Sequence, residues 1–320
     1  MTARGEALGI DVGGTKINAF RVARDGEILA RAQVPTPADD EEATVAAMID
    51  AARGLMTEDV LAVGVGAAGM VDAERGVLRF APNLAWRELP IAARMHEALG
   101  VPCQLDNDAN VATYGEYRFG AGRGYRNMLL VTVGTGIGGG IIADGRLFRG
   151  AYGFAAEIGH VIVEPGGPLC GCGNRGCWEQ VAGGRAIDRA GRDAAAEHPA
   201  SLLTELAGGE PSAVDGRVVT EAARRGDDVA QAVLAEVGRR LGQGLAGLVN
   251  VLDPQVVVVG GGAAEAGELL LEPARAAFVD AVEAPEFRPR VPIVAAELGN
   301  DAGAVGAASL ALEELGRLTS

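Results

Sequence analysis

Short apolar runs, each closed by glycine, proline or an Asp-Gly pair, set the rhythm of this chain. Residues 7–12 are apolar at almost every position, which predicts a buried strand, and they end at Gly13-Gly14-Thr15-Lys16. Residues 17–22 predict a second strand that turns at Asp25-Gly26 and returns over 27–33, before Pro35 and Pro37 break the sheet. A helix is expected at 41–56, a strand at 60–65, turns at 66–69 and 72–76, and a loop around Pro82-Asn83. A helix at 91–99 precedes a strand at 101–105, which enters Asp106-Asn107-Asp108-Ala109-Asn110 and a helix to about Phe119. Residues 120–124 read as a linker.

The pattern then starts again. A strand at 128–133 meets a glycine loop at 134–140, a strand at 141–143 turns at Asp144-Gly145, and 146–148 return. Strand, glycine loop, strand, Asp-Gly turn and strand are thus written twice. Duplication predicts two similar α/β domains whose glycine loops face each other across a cleft; chance likeness of two hairpins is the alternative. Helices follow at 185–197, 202–207, 218–225 and 229–252, the last closed by Asp253-Pro254. A buried strand at 256–259 runs into Gly260-Gly261-Gly262, followed by a helix at 269–281, a strand at 291–295 and a small-residue helix at 302–315. The expected domains are 1–120, completed by 302–320, and 121–301, with hinges near 120–124 and before Ala302.

Composition narrows the functions. A chain of 320 residues can form two domains sharing a cleft. No apolar run reaches the roughly 18 residues of a membrane span, and residues 1–6 are too short and polar for a signal peptide, so the cytoplasm is expected and no membrane partner. A net charge of −15 argues against a nucleic-acid partner, which needs clustered cations. The 48 glycines concentrate in a few loops, as backbone approaching phosphate requires.

Two segments match GxGxxG, Gly64 to Gly69 and Gly134 to Gly139, yet neither leads straight into a helix, so a dinucleotide site is rejected. Instead Gly13, Gly14, Thr15 and Lys16, and again Gly134, Thr135 and Gly136, offer N–H groups and a threonine hydroxyl to phosphate oxygens. Asp11, at the end of the first strand, is placed to hold Mg²⁺ through water. Gly260, Gly261 and Gly262 allow an adenosine to lie against backbone. Taken singly, each loop could be no more than a tight turn.

Three of the four cysteines, Cys170, Cys172 and Cys177, lie close together, with His160 just upstream. Three thiolates and an imidazole suit a closed structural zinc site; a disulfide is the alternative, but three cysteines cannot all pair. Glu157 and Glu179 flank this loop. Fixed there, their carboxylates would suit the hydroxyls of a polyol, although two solvated surface glutamates would show the same spacing. Asp108, beside Asn107 at a helix start, is either an N-cap or a base accepting the proton of a sugar hydroxyl that attacks a γ-phosphate.

Together, Asp11-Val-Gly-Gly-Thr-Lys16, Leu105-Asp-Asn-Asp-Ala-Asn110, Thr132-Val-Gly-Thr-Gly-Ile-Gly138, Glu157-Ile-Gly-His160 and Cys170-Gly-Cys-Gly-Asn-Arg-Gly-Cys177-Trp-Glu179 resemble the ROK family of bacterial sugar kinases and repressors, its glucokinases in particular. The resemblance covers nearly the whole chain. It implies an actin-like, ribonuclease-H-like ATPase fold with a cleft between two domains, ATP, Mg²⁺ and structural Zn²⁺, and a homodimer or homotetramer. By motif match Asp108 would be the catalytic base, and Asn83, Asn107, Asp108, Glu157, His160 and Glu179 would bind the sugar. His160 would ligate zinc through one ring nitrogen and a sugar hydroxyl through the other. Phosphorylation of glucose to glucose 6-phosphate is the leading expectation; N-acetylmannosamine, N-acetylglucosamine or another hexose is the alternative substrate. A sugar-responsive regulator without catalysis is a further alternative, but it would need an N-terminal helix-turn-helix before the first strand. Ala156 stands where the family often has glycine, and Gly183 where serine is frequent. Cys103, outside the motif, reads as a core residue.

Overall fold

The computed structural model describes residues 5–81 and 86–318. In chain order the strands and helices are β1 (Glu6–Val12), β2 (Lys16–Ala23), β3 (Ile28–Pro35), α1 (Glu41–Arg53), β4 (Val60–Ala67), β5 (Met70–Asp72), β6 (Val77–Phe80), β7 (Arg87–Leu89), α2 (Ile91–Leu99), β8 (Cys103–Asn107), α3 (Asp108–Phe119), β9 (Met128–Val133), β10 (Ile137–Ala143) and β11 (Arg146–Leu147). They continue as α4 (Trp178–Ala182), α5 (Gly184–Glu197), α6 (Leu202–Leu206), α7 (Gly216–Arg224), α8 (Asp228–Leu252), β12 (Val256–Gly260), α9 (Glu268–Ala281), β13 (Ile293–Ala295) and α10 (Ala302–Leu318).

The duplication read from the sequence is visible in the strand order. One five-stranded sheet runs β3-β2-β1-β4-β8 and the other β11-β10-β9-β12-β13, so corresponding elements occupy corresponding places. In the first, β1–β2 and β2–β3 pair antiparallel while β1–β4 and β4–β8 pair parallel. In the second, β10–β11 is antiparallel and β12–β13 parallel. The chain divides into two compact units, one of Met1–Leu129, Gly140–Ala156 and Ala296–Ser320, the other of Leu130–Gly139 and Glu157–Ala295.

In the first unit the central strands are buried on both faces, which is why β1 and β4 read as continuous apolar runs. One face carries α1 and α2 over a core that includes Ile10, Val45, Met48, Val63, Trp86 and Met95. Against the other lies α10, whose backbone comes so near that a Cβ on Gly9 or Gly64 would sit 1.7 Å from Ala304 O or 1.9 Å from Ala307 O. Those strand glycines are therefore packing residues. In the second unit α8 and α9 approach in the same way, through Gly238 and Gly242 against Leu270 O and Ala274 O. Among the described residues no helix is long and apolar enough to cross a membrane.

Several local expectations need correction. The turn expected at 72–76 is present and joins β5 to β6, but the one expected at 66–69 narrows to 68–69 because β4 runs on to Ala67, and the three-stranded sheet of β5, β6 and β7 was not foreseen. The strand before Asp108 is Cys103–Asn107, two residues later than predicted, because pairing with β4 extends to Ala67↔Asn107. Only Gly134-Thr135-Gly136 form the second loop; the following glycines lie in β10, where a Cβ on Gly139 would strike Ile158 and one on Gly140 would strike Thr113. The helix α4, five residues long, carried too little periodicity to be foreseen.

Candidate active site and zinc loop

In the first unit, β1 delivers Asp11 to the end of the sheet, opposite Asn18 of β2 and Gly66 of β4. Burial pushes its carboxyl up to about 6, and the nearby Asp108 carboxylate adds to this; a hydrogen bond from Asn18 and the charge of Lys16 pull it back. Gly303, near the start of α10, leaves the space this carboxyl fills, since a Cβ there would lie 2.8 Å from Asp11 Cγ. The turn after Asp11 closes by a Gly13 N–H bond to Lys16 O (3.0 Å), while Gly14, Thr15 and Lys16 are exposed.

At the β8–α3 corner the N-cap is Asn107, not Asp108. Asn107 Oδ1 accepts from the N–H groups of Ala109 (2.9 Å) and Asn110 (3.2 Å), and its Nδ2 donates to Gly69 O (3.0 Å). With capping supplied by its neighbour, Asp108 is left as the first helical residue, its Oδ1 accepting from Ala109 N–H at 2.9 Å. Burial raises its pKa, opposed by the Ala109 and Asp108 N–H groups and by the Asn107 amide. Beneath it lies Asp106, 2% exposed, accepting from Asn107 N–H (2.8 Å), Asn110 Nδ2 (2.8 Å) and Arg149 Nε (2.7 Å).

In the second unit Gly134, Thr135 and Gly136 form the β9–β10 turn, closed by a Gly134 N–H bond to Gly136 O (3.0 Å). The first N–H groups of α5, on Gly184 and Arg185, donate to Gly134 O (2.8 Å) and Thr135 O (3.1 Å), fixing the turn. A Cβ on Gly136 would fall 2.2 Å from Glu179 Oε2, so this loop and the glutamate of α4 touch. Gly260 ends β12, and Gly261, at φ +87, lies so close to Val133 that a Cβ would meet its backbone at 2.6 Å. Glu157 leads into the 3-10 turn Ile158–His160.

His160, Cys170, Cys172 and Cys177 converge, with all four ligand atoms within 4.8 Å of one another. The pairs Cys172 Sγ–Cys177 Sγ and Cys170 Sγ–His160 Nδ1 are each 3.6 Å apart. Zn–S bonds of about 2.3 Å in a tetrahedron require sulfur separations of about 3.8 Å, so donor set and spacing both fit structural zinc. All four cysteines, Cys103 included, are free thiols, which sets the disulfide alternative aside. The Asn174 N–H lowers the Cys172 pKa, favouring a thiolate. Nδ1 of His160 faces the sulfurs, leaving Nε2 for another partner, and Glu179 Oε1 accepts from Cys170 Sγ at 3.0 Å. Trp178, 1% exposed, secures α4 by donating from Nε1 to Arg240 O (3.2 Å) in α8.

The sequence pattern of the ROK family matches residues 7–314. The chain belongs to the ROK family. It is 44% identical to the glucokinase of Streptomyces coelicolor over 312 residues, 97% of this chain and 98% of that protein. It is 38% identical to the glucokinase of Thermotoga maritima over 315 residues, again 97% and 98%. Among solved structures, a ROK family glucokinase from Streptomyces griseus in complex with glucose and AMPPNP superposes with a TM-score of 0.88 at 46% identity, covering 97% of this chain and 100% of that one. The doubled α/β architecture is thus the actin-like ATPase fold that the motifs implied.

Both departures from the ROK pattern now have a local reading. Ala156 adopts φ +68, the left-handed region in which glycine carries no Cβ penalty. Gly183 is held between α4 and the Gly134–Gly136 turn: a Cβ there would lie 2.6 Å from Glu179 O and 3.3 Å from Gly136 Cα, so a serine needs the turn to shift. Cys103 packs against the first unit's core, where burial pushes its thiol up to about 12, as a core residue should. Asn83 lies outside the described residues. Three residues beside the site were missed. Asn18 supports Asp11, and Asp106 was inside a quoted motif, so its neighbours could have suggested it. Arg149 is 43 residues from its partner and gave no signal.

Proposed function

We propose that this protein transfers the γ-phosphoryl group of ATP to the 6-hydroxyl of glucose, giving glucose 6-phosphate and ADP. The observation that carries the reading is the near-full-length likeness to a ROK glucokinase holding glucose and AMPPNP, in a chain with an intact Asn107-Asp108 corner and Cys₃His loop. Asp108 is assigned as the general base. A carboxyl raised by burial is a stronger proton acceptor than an exposed one, and as the sugar oxygen bonds to phosphorus Asp108 takes its proton. Because the transition state is loose, positioning and charge neutralisation supply most of the rate.

Glu157, Glu179, Asn107, His160 Nε2 and, outside the described residues, Asn83 are assigned to the sugar hydroxyls. The turns at Gly13, Gly14, Thr15 and Lys16 and at Gly134, Thr135 and Gly136 are assigned to phosphate, and Gly260, Gly261 and Gly262 to the nucleoside. Asp11 would hold Mg²⁺, which when bound neutralises charge on the transferred phosphoryl oxygens. Zinc on His160, Cys170, Cys172 and Cys177 would fix the helix bearing Glu179, since Cys177 immediately precedes α4 as its N-cap residue.

The test is ATP consumption by purified protein with glucose, mannose, fructose and N-acetylated hexosamines. Turnover strongest with glucose supports the reading. Preference for an N-acetylated hexosamine overturns the substrate and keeps the mechanism, and inactivity with every sugar in zinc-replete protein overturns the enzyme.

A further inference from the structure

We infer that Arg149 is a positioning residue for this phosphoryl transfer, holding the Asn107–Asp108 corner to the 149–155 loop through the buried carboxylate of Asp106. The inference rests on the proposed function for its kinetic consequence and on geometry for its physical basis.

Asp106 Oδ1 is occupied from the corner itself, by Asn107 N–H and the Asn110 amide. Those groups satisfy lone pairs but bring no counter-charge. Arg149 brings it: Nε lies 2.7 Å from Oδ2, and this is the ion pair of Asp106 among the described residues. The carboxylate is 2% exposed and the guanidinium side chain 24%, so water screens the pair poorly. Loss of the cation would leave a buried charge facing only neutral donors. The group to suffer first is Asn107 N–H, on the residue whose side chain caps α3 and precedes the assigned base.

The backbone of Arg149 belongs to a tight loop of the first unit. Its carbonyl accepts from Ala155 N–H (3.1 Å), closing residues 149–155 into a loop that turns at Gly150 (φ +73) and Gly153 (φ +85). Gly153 lies against β5, where a Cβ would meet Val71 O at 2.7 Å. The chain then passes through Ala156 to Glu157, an assigned sugar ligand. The Arg149 side chain therefore ties the 149–155 loop to the Asp108 corner within the first unit. Lysine has a methylene where arginine carries Nε, so it cannot repeat the contact.

The experiment compares wild type, Arg149→Ala, Arg149→Lys, Asp106→Asn and the Arg149→Ala/Asp106→Asn pair by steady-state kinetics and amide hydrogen exchange. In Arg149→Ala, kcat/KM for glucose should fall on the order of 100-fold, as for a small misplacement of reacting groups, with KM for ATP unchanged. Low, non-denaturing guanidinium should restore part of the loss, and the pair should be no worse than Arg149→Ala alone, because the damage passes through Asp106. Amides of 106–112 should exchange faster while those of 237–259 keep their wild-type protection. Unaltered kinetics per folded molecule, additive losses in the pair, or uniformly faster exchange would overturn the inference. If wild type itself phosphorylates no sugar, the proposed function fails, and faster exchange confined to 106–112 in Arg149→Ala still decides whether Arg149 positions the corner.

Discussion

Asp11→Asn should make the ligand-free protein more stable while removing its activity. The Asp11 carboxyl, ordinarily near 3.8, is pushed up to about 6 in the fold, chiefly by burial and then by Asp108. At roughly 1.4 kcal/mol per pKa unit, keeping it ionised above that pH costs the folded state about 3 kcal/mol. The sign follows from the direction of the shift. A raised folded pKa favours the neutral form, so the cost is absent below the ordinary pKa, grows as pH rises through the interval between 3.8 and about 6, and is complete above it. Asparagine keeps the size and the capacity to accept from Asn18 but carries no charge. Urea-unfolding midpoints measured from pH 4.5 to 7.5 should show the variant ahead by up to about 3 kcal/mol at the upper end, with the gap narrowing steadily toward pH 4. Mg²⁺ with nucleotide should stabilise wild type and leave the variant nearly unmoved. A variant less stable than wild type at pH 7.5, or a gap that ignores pH, would refute the burial argument.

Asp108→Asn should preserve glucose binding by calorimetry while kcat falls on the order of 10²–10⁴-fold; unchanged turnover would remove Asp108 from the mechanism. Cys172→Ser should lose zinc by metal analysis and raise KM for glucose by loosening α4 and Glu179, and full activity with no bound metal would sink the link between them. Ala156→Gly should raise Tm by roughly 2 °C, because a left-handed alanine costs about 1 kcal/mol; a lower Tm would show that the φ of +68 carries no strain.

The sequence by itself determined the doubled architecture, the family and the Cys₃His cluster. Repetition of strand, glycine loop, strand and Asp-Gly turn foretold two sheets with the same strand order, because buried strands need continuous apolar runs and hairpins need glycine at fixed places. The Cys₃His cluster was legible because its spacing is short and no other use of three close thiols is common. The turns at Gly13–Lys16 and Gly134–Gly136 were legible for the same local reason. What lay beyond the sequence was decided by contacts between distant residues. That Asn107 caps α3 and frees Asp108 depends on β8 continuing two residues further, which the pairing with β4 sets. That Gly9 and Gly64 are packing residues depends on where α10, some 295 and 243 positions later, comes to rest. The three-stranded sheet of β5, β6 and β7 was hidden because strands this short carry no period of their own. Arg149 was invisible because its role is a charge supplied across 43 residues to a buried carboxylate. Local pattern names the candidate groups; only the folded chain decides which buried neighbour holds each of them still.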